Sequence, residues 1–321
     1  MKLARWSHDG ATGEGFVIGG AVVPFPDGRT VAGVLAEGLA AAADLHARVA
    51  STAGTPLAEV RLLAPLAPAA IRDFVAFEEH VEGVSAAVDG KSEVVPQWYE
   101  APTFYFTNPH TVRATGERVD APETARLDFE LEVAAVIGGV AGSAGADLTP
   151  GDAASHVFGY TIMNDWSARD LQSREMKVRL GPCKGKDFAT TLGPWIVTAD
   201  EVADLVDGEG FLALRAEVFV NGTRVGEDLV SNMGWPFAEL VAYASRNSRV
   251  VPGDVLGSGT VGNGGCLAEL WGRGVDIPAL RTGDEVRMRV ERLGEIVNTV
   301  GELRSPHPVA AARPRPRSRA R

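Results

Sequence analysis

The chain has 321 residues, 45% hydrophobic and 23% charged, the balance of an ordinary soluble globular protein long enough to bury a substantial core. A net charge of −11 argues against nucleic acid or an anionic membrane as partner, the more so because six arginines after residue 303 leave −17 on residues 1–303. Two cysteines, Cys183 and Cys266, give neither a disulfide framework nor zinc-ligand spacing, the start Met1-Lys2-Leu3-Ala4-Arg5-Trp6 lacks the apolar stretch of a signal peptide, and no apolar run is long enough to span a bilayer, so a cytoplasmic location is expected.

Residues 1–64 read as a small separate N-terminal domain. Val17 to Pro24 suggests short strands around a Gly19-Gly20 turn, and Val31 to Ala50, with Leu35, Leu39 and Leu45, has helical spacing. Ser51 to Pro56 is a breaker cluster that reads as linker. The spacing then predicts a helix over Ile71–Val81, strands at Val157–Met163 and Gly193–Thr198, and a helix over Ala168–Lys177. Further strands follow at Leu212–Val220 and Glu285–Leu293, with a helix over Pro236–Ser245 between them. Asn221-Gly222 after an alternating run is a hairpin turn, with Thr223-Arg224-Val225 as the return strand. Strands outnumber helices without a βαβ rhythm, so the expected class is α+β, β-rich. From Arg304 to Arg321 the chain is rich in Pro, Ala and Arg, lacks apolar periodicity and is expected to be disordered.

The most informative segment is Leu127-Asp128-Phe129-Glu130-Leu131-Glu132-Val133. As a strand it places Asp128, Glu130 and Glu132 on one face, where like charges repel. Such a face is tolerable when solvated or when it carries a cation. Asp165 in the next strand-like stretch would complete an all-oxygen set without His or Cys, the donor set of a hard ion such as Mg²⁺ or Ca²⁺. A solvated strand edge is the plainer alternative.

Glu130-Leu131-Glu132, then Met163-Asn164-Asp165-Trp166-Ser167-Ala168-Arg169-Asp170-Leu171-Gln172, then Gly185-Lys186-Asp187-Phe188 and Leu192-Gly193-Pro194-Trp195 closely resemble the fumarylacetoacetate hydrolase family. The resemblance covers residues 65–303, the expected catalytic domain, and implies a mixed β-sandwich roll and a homodimer. It also assigns roles. Asp73 would join Glu130, Glu132 and Asp165 as metal ligands, and His80, seven residues after Asp73, would be the catalytic base. Lys186 would contact substrate and stabilise charge, Arg169 with Gln172 would form a polar binding pair, and Tyr105 and Thr260 would also bind substrate. Thr260 lies in Gly257-Ser258-Gly259-Thr260, which lacks the Gly-Lys-Ser/Thr ending of a phosphate loop. Glu269 would orient His80, an arrangement of the fumarylacetoacetase-like branch. The isomerase, decarboxylase and acylpyruvase branches usually carry that Glu three residues after the His, where this chain has Gly83, with Glu82 beside it. Departures from the fumarylacetoacetases proper fall at Val75 and Met176-Lys177, which replace tyrosines, and between Val81 and Lys91, which contains no arginine.

The expected activity is metal-dependent hydrolysis of a carbon–carbon bond in a 1,3-diketo or acylpyruvate-like acid, with a fumarylacetoacetate-like small molecule as substrate and a role in aromatic amino acid catabolism. Two readings stand beside it. A 2-hydroxy-diene-dioate isomerase or 2-oxo acid decarboxylase would use the same scaffold. A non-catalytic protein with a structural Ca²⁺ would leave His80, Lys186 and Glu269 without a joint purpose.

Overall fold

A computed structural model describes residues 1–89 and 92–312. It contains a twelve-stranded mixed sheet and a five-stranded sheet, with helices packed on their faces. Four neighbouring strands of the large sheet matter most, in the order Val157–Asp165, Leu131–Ile137, Val255–Gly257 and Ile71–Phe74. Every residue of these four strands is buried. Strands covered on both faces need no polar alternation, which is why Leu131–Ile137 reads as a nearly continuous apolar run.

Alternate side chains enter two different cores. Val133, Ala135, Ile137 and Ile162 pack with residues of the five-stranded sheet such as Val218 and Met288. Ala134, Val136, Met163, Val255 and Ile71 pack with Val31, Val34, Leu35 and Leu45 of the N-terminal helices. On this second face, Asp73 pairs with Gly257 and Gly257 with Ala134. Glu132 lies two residues further along its strand, opposite Met163, and Asp165 lies two beyond Met163. The strand ends therefore turn an apolar face into a carboxylate-bearing one.

The N-terminal segment expected as a separate domain shares this sheet and core. Lys2–His8 pairs with Thr190–Thr198, and the helices Val31–Glu37 and Leu39–Val49 cover the second face. No break in sheet or core marks residue 64. The Val31 to Ala50 helix is divided at Gly38, whose φ of 88° favours glycine and where a Cβ would lie 2.2 Å from the Gly139 carbonyl oxygen.

The Ile71–Val81 helix is corrected. Ile71–Phe74 is a strand, held parallel to Val255–Gly257 and antiparallel to Phe104–Thr107, and a helix begins only at Glu78 and runs to Asp89. Two ladders satisfy the backbone of the first four residues, which overrides their helical spacing. The acidic strand is also interrupted. Leu127–Asp128 pairs with Ser167–Ala168 as its own ribbon, and the main strand restarts at Leu131. The Asn221-Gly222 hairpin forms as expected, with φ of 50° and 79°. The last strand runs through Arg304, which pairs with Pro122, so the tail begins after it. Residues 305–312 carry no helix or strand and are exposed, and residues 313–321 of the expected disordered tail lie outside the described residues. Among the described residues no helix is long and apolar enough to cross a membrane.

Candidate active site

Three carboxylates meet at the strand ends. One oxygen each from Asp73, Glu130 and Glu132 lie within 4.8 Å of one another, and all three residues are buried. Asp165 joins them through Lys186, whose ammonium bonds Asp165 Oδ2 at 2.6 Å and also Glu130 Oε2. Tyr105 donates its hydroxyl to Asp165. Arg169 bonds Glu130 Oε1 at 2.8 Å, and its Nη1 donates to Gln172 at 3.2 Å.

Charge is unevenly balanced across this cluster. Burial would raise the Glu130 carboxyl, but Lys186 and Arg169 outweigh it and hold the group well below the usual carboxylate range. Asp73 and Glu132 go the other way, pushed well up by burial and by neighbouring carboxylates. Burial likewise raises Asp165, against Lys186. Two buried oxygens, Asp73 Oδ1 and Asp165 Oδ1, have no hydrogen-bond partner among the described residues. A buried anionic oxygen without a partner is costly. An oxygen-only donor set with unpartnered atoms and surplus negative charge fits a hard divalent cation.

Gly257 keeps this space open. A Cβ there would lie 2.6 Å from Glu132 Oε2 and 2.9 Å from Asp73 Oδ1. Gly257→Ala is therefore expected to weaken divalent-metal affinity by roughly 10- to 100-fold, the usual cost of disturbing ligand support. Calorimetric titration with Mg²⁺ or Mn²⁺ measures this, and wild-type affinity in the variant would mean the ion sits elsewhere.

His80 stands over the cluster from the first turns of the Glu78–Asp89 helix, with Nε2 at 3.9 Å from Glu130 Oε1. Burial lowers its pKa to about 4, so the imidazole is neutral at pH 7. Asp73 and His80 thus reach one cavity from a strand and a helix, not from two turns of one helix. Glu269, in the helix Leu267–Gly272, is fully buried, and burial raises its pKa to about 7 against the pull of Arg273. Gly264 N and Arg273 bond Glu269 Oε1, while Oε2 has no partner among the described residues.

Among the described residues Glu269 makes no direct hydrogen bond to His80. Cys266 Sγ lies 3.6 Å from His80 Nδ1, and one Glu269 oxygen, the sulfur and one His80 ring nitrogen all fall within 4.8 Å of one another. Gly83 explains how the Glu reaches this place. A Cβ on Gly83 would sit 2.4 Å from Glu269 Cγ, so only glycine leaves room. Glu82, by contrast, is exposed.

These groups open onto a cavity of about 880 Å³. Asp73, His80, Tyr105, Glu130, Glu132, Arg169, Gln172, Lys186 and Thr260 line it, whereas Asp165 and Glu269 stand behind its wall. Val75, Met176 and Lys177 also face it, so the departures from the family's tyrosines fall on the cavity surface.

Asp128 is a correction of another kind. It does not share the carboxylate face of Glu130 and Glu132. Its oxygens accept from Leu267 N at 2.7 Å, Ala268 N at 3.0 Å and Arg169 Nε at 2.8 Å. A carboxylate at the start of the Glu269 helix satisfies otherwise unpaired amides, and here it also holds the cavity-lining Arg169. Sequence gave no sign of this, nor of Cys266 at His80. The Glu269–Arg273 pair was findable from its four-residue helical spacing.

Residues 69–301 match the family profile described as "Fumarylacetoacetate (FAA) hydrolase C-terminal". The chain is 29% identical to the fumarylacetoacetase of Arabidopsis thaliana over 67% of its own length and 61% of that protein. It spans just under two thirds of the first fumarylacetoacetases that it matches, 61%, 66% and 63% of their lengths. Two solved structures share the fold. One is 5-carboxymethyl-2-hydroxymuconate delta-isomerase from Mycobacterium smegmatis, with TM-score 0.66, 24% identity, and 94% and 99% of the two chains covered. The other is maleylpyruvate hydrolase from Sphingobium sp. SYK-6, determined with manganese(II) and pyruvate, with TM-score 0.69, 20% identity, and 95% and 100% covered. One fold thus carries a hydrolase and an isomerase, so the reaction has to be argued from the site.

Proposed function

The chain belongs to the fumarylacetoacetate hydrolase family, and on that premise we propose that it is a divalent-metal-dependent hydrolase of a carbon–carbon bond in a 1,3-dioxo acid of the acylpyruvate type. The observation that carries the hydrolytic reading is the buried carboxylate of Glu269 beside His80, in the space left by Gly83, with Glu82 turned to solvent. An acid supplied from the His80 helix itself, as the isomerase or decarboxylase reading requires, has no buried candidate at Glu82.

Asp73, Glu130, Glu132 and Asp165 would hold the ion, and a manganese(II) ion in the related maleylpyruvate hydrolase supports a hard divalent metal here. When bound, the ion supplies Lewis acidity that spreads the charge of an enolate leaving group. The protein's own groups do the rest. Arg169 with Gln172, Thr260 and Tyr105 line the cavity where an oxo acid would be held. Neutral His80 takes a proton from water, and the hydroxide adds to the substrate carbonyl. The carbon–carbon bond then breaks, its electron pair leaving as the enolate, and the ammonium of Lys186 stabilises the charge that develops. Protonation of the enolate carbon, in net terms by the proton that His80 took, completes the turnover.

Turnover in ¹⁸O-labelled water with Mg²⁺ or Mn²⁺ tests this across acylpyruvates, fumarylacetoacetate and oxaloacetate. Label is expected in one newly formed carboxylate. An isomerised or decarboxylated product with no label in a new carboxylate would overturn the hydrolytic reading.

A further inference from the structure

We propose that His80, Cys266 and Glu269 form a second metal site that takes Zn²⁺ rather than Mg²⁺, and that zinc bound there removes His80 from service as a base. The binding half of this stands on geometry. The inhibitory half rests on the role proposed for His80 above.

Cys266 and Glu269 sit at the start of one helix and His80 on another, 186 residues before Cys266, which is why no sequence spacing announces the three. With Zn–S of about 2.3 Å and Zn–N of about 2.0–2.1 Å, a tetrahedral zinc places sulfur and nitrogen about 3.6 Å apart. Cys266 Sγ and His80 Nδ1 are 3.6 Å apart. One Glu269 oxygen lies within 4.8 Å of the sulfur and of a His80 ring nitrogen, so an approach of about 1 Å completes three ligands. Glu269 is 0% exposed, and its Oε2 has no hydrogen-bond partner among the described residues. Arg273 pairs with the other oxygen, Oε1, so Oε2 is the atom left to bind a metal beside the thiol and the imidazole.

The donor chemistry selects the metal. Sulfur and imidazole suit zinc, whereas Mg²⁺ and Ca²⁺ want oxygen alone, so the two clusters on either side of His80 have opposite preferences. One thiolate and one carboxylate bring two negative charges to the ion, with the half-exposed Arg273 on the far oxygen of Glu269. Burial holds Cys266 as a thiol, so zinc releases its proton on binding. An ion can enter past His80, which lines the cavity, and the fourth coordination position is left for water.

The consequence follows from imidazole chemistry. A neutral ring that binds metal through Nδ1 carries its hydrogen on Nε2, the nitrogen facing Glu130. That nitrogen then donates and cannot accept a proton from water.

Co²⁺ is the probe, added to the full-length protein under reducing conditions with the oxygen cluster saturated by Mg²⁺. Wild type is expected to give one equivalent of a thiolate-to-cobalt charge-transfer band that Zn²⁺ abolishes. Cys266→Ser keeps an oxygen to accept from Glu269 N at the helix start and should fold, yet lose the band, while Cys183→Ser, at the exposed cysteine, retains it. Glu269→Gln should weaken zinc by about 100-fold or more, since loss of a ligand exceeds the 10- to 100-fold that outer partners cost. Absence of the band in wild type, or its persistence in Cys266→Ser, overturns the site. Zinc is further expected to lower kcat with little change in KM. A band that depends on Cys266 while zinc leaves kcat untouched keeps the site but overturns the switch, and counts against His80 as the base.

Discussion

Glu132→Gln is expected to abolish turnover and the stabilisation by divalent metal together, without weakening the metal-free fold. Wild type should gain about 2.7 kcal/mol at a metal concentration of 100 times Kd, because a ligand that binds only the folded state stabilises it by mass action. The variant should gain none. Glu132 is the informative member of the proposed ligand set because, among the described residues, its buried carboxylate pairs with no cation. It is crowded by Asp73, Glu130 and Asp165, and its Oε2 accepts from Gly259 N at 3.1 Å. Removing its charge relieves repulsion in the metal-free state, so the melting temperature without metal should hold or rise. Glu130→Ala should behave differently. It leaves the buried Lys186 and Arg169 short of a partner, a loss of about 3–5 kcal/mol with or without metal. Thermal unfolding of both variants with and without Mg²⁺ separates the two cases. A wild-type metal shift in Glu132→Gln would falsify the assigned centre.

The second large effect concerns the base. His80→Ala and Glu269→Gln should each lower kcat by roughly 10²- to 10⁴-fold, the range for a positioned general base. The double variant should be little worse than His80→Ala, because residues that act as a unit are strongly non-additive. Glu82→Gln should change kcat by no more than about twofold, as expected of an exposed side chain away from the reacting groups. Steady-state kinetics of the four variants on one substrate decide the matter. A nearly normal Glu269→Gln enzyme, or a crippled Glu82→Gln enzyme, would move the reaction to the isomerase or decarboxylase mechanism. The thiol at Nδ1 sharpens the test. If Glu269 acts on His80 through Cys266, then Cys266→Ala should also lower kcat and Cys266→Ser should restore part of it.

Features that depend on neighbours in the chain were legible without coordinates. The hairpin at Asn221-Gly222 needs only two residues that tolerate positive φ, and they have it. The helix at Arg169–Met176 and the strand at Val157–Asp165 follow from spacing alone. Glu130, Glu132 and Asp165 could be proposed as a hard-ion set because oxygen donors at strand spacing carry their chemistry in their identity, and Glu130 and Glu132 do come together, with Asp73. Tertiary structure decided what depends on partners far along the chain. Ile71–Phe74 became a strand because Val255–Gly257 and Phe104–Thr107 offered ladders on both sides, and no local periodicity encodes that offer. Asp128 left the carboxylate face because the start of a helix some 140 residues later presented unpaired amides. Residues 1–64 joined the main sheet because its second face would otherwise have exposed Ala134, Val136 and Ile71 to water. The meeting of His80, Cys266 and Glu269 is the extreme case. Two helices close over the missing side chain of Gly83, and an absent atom in one segment fixes where a carboxylate from another comes to rest.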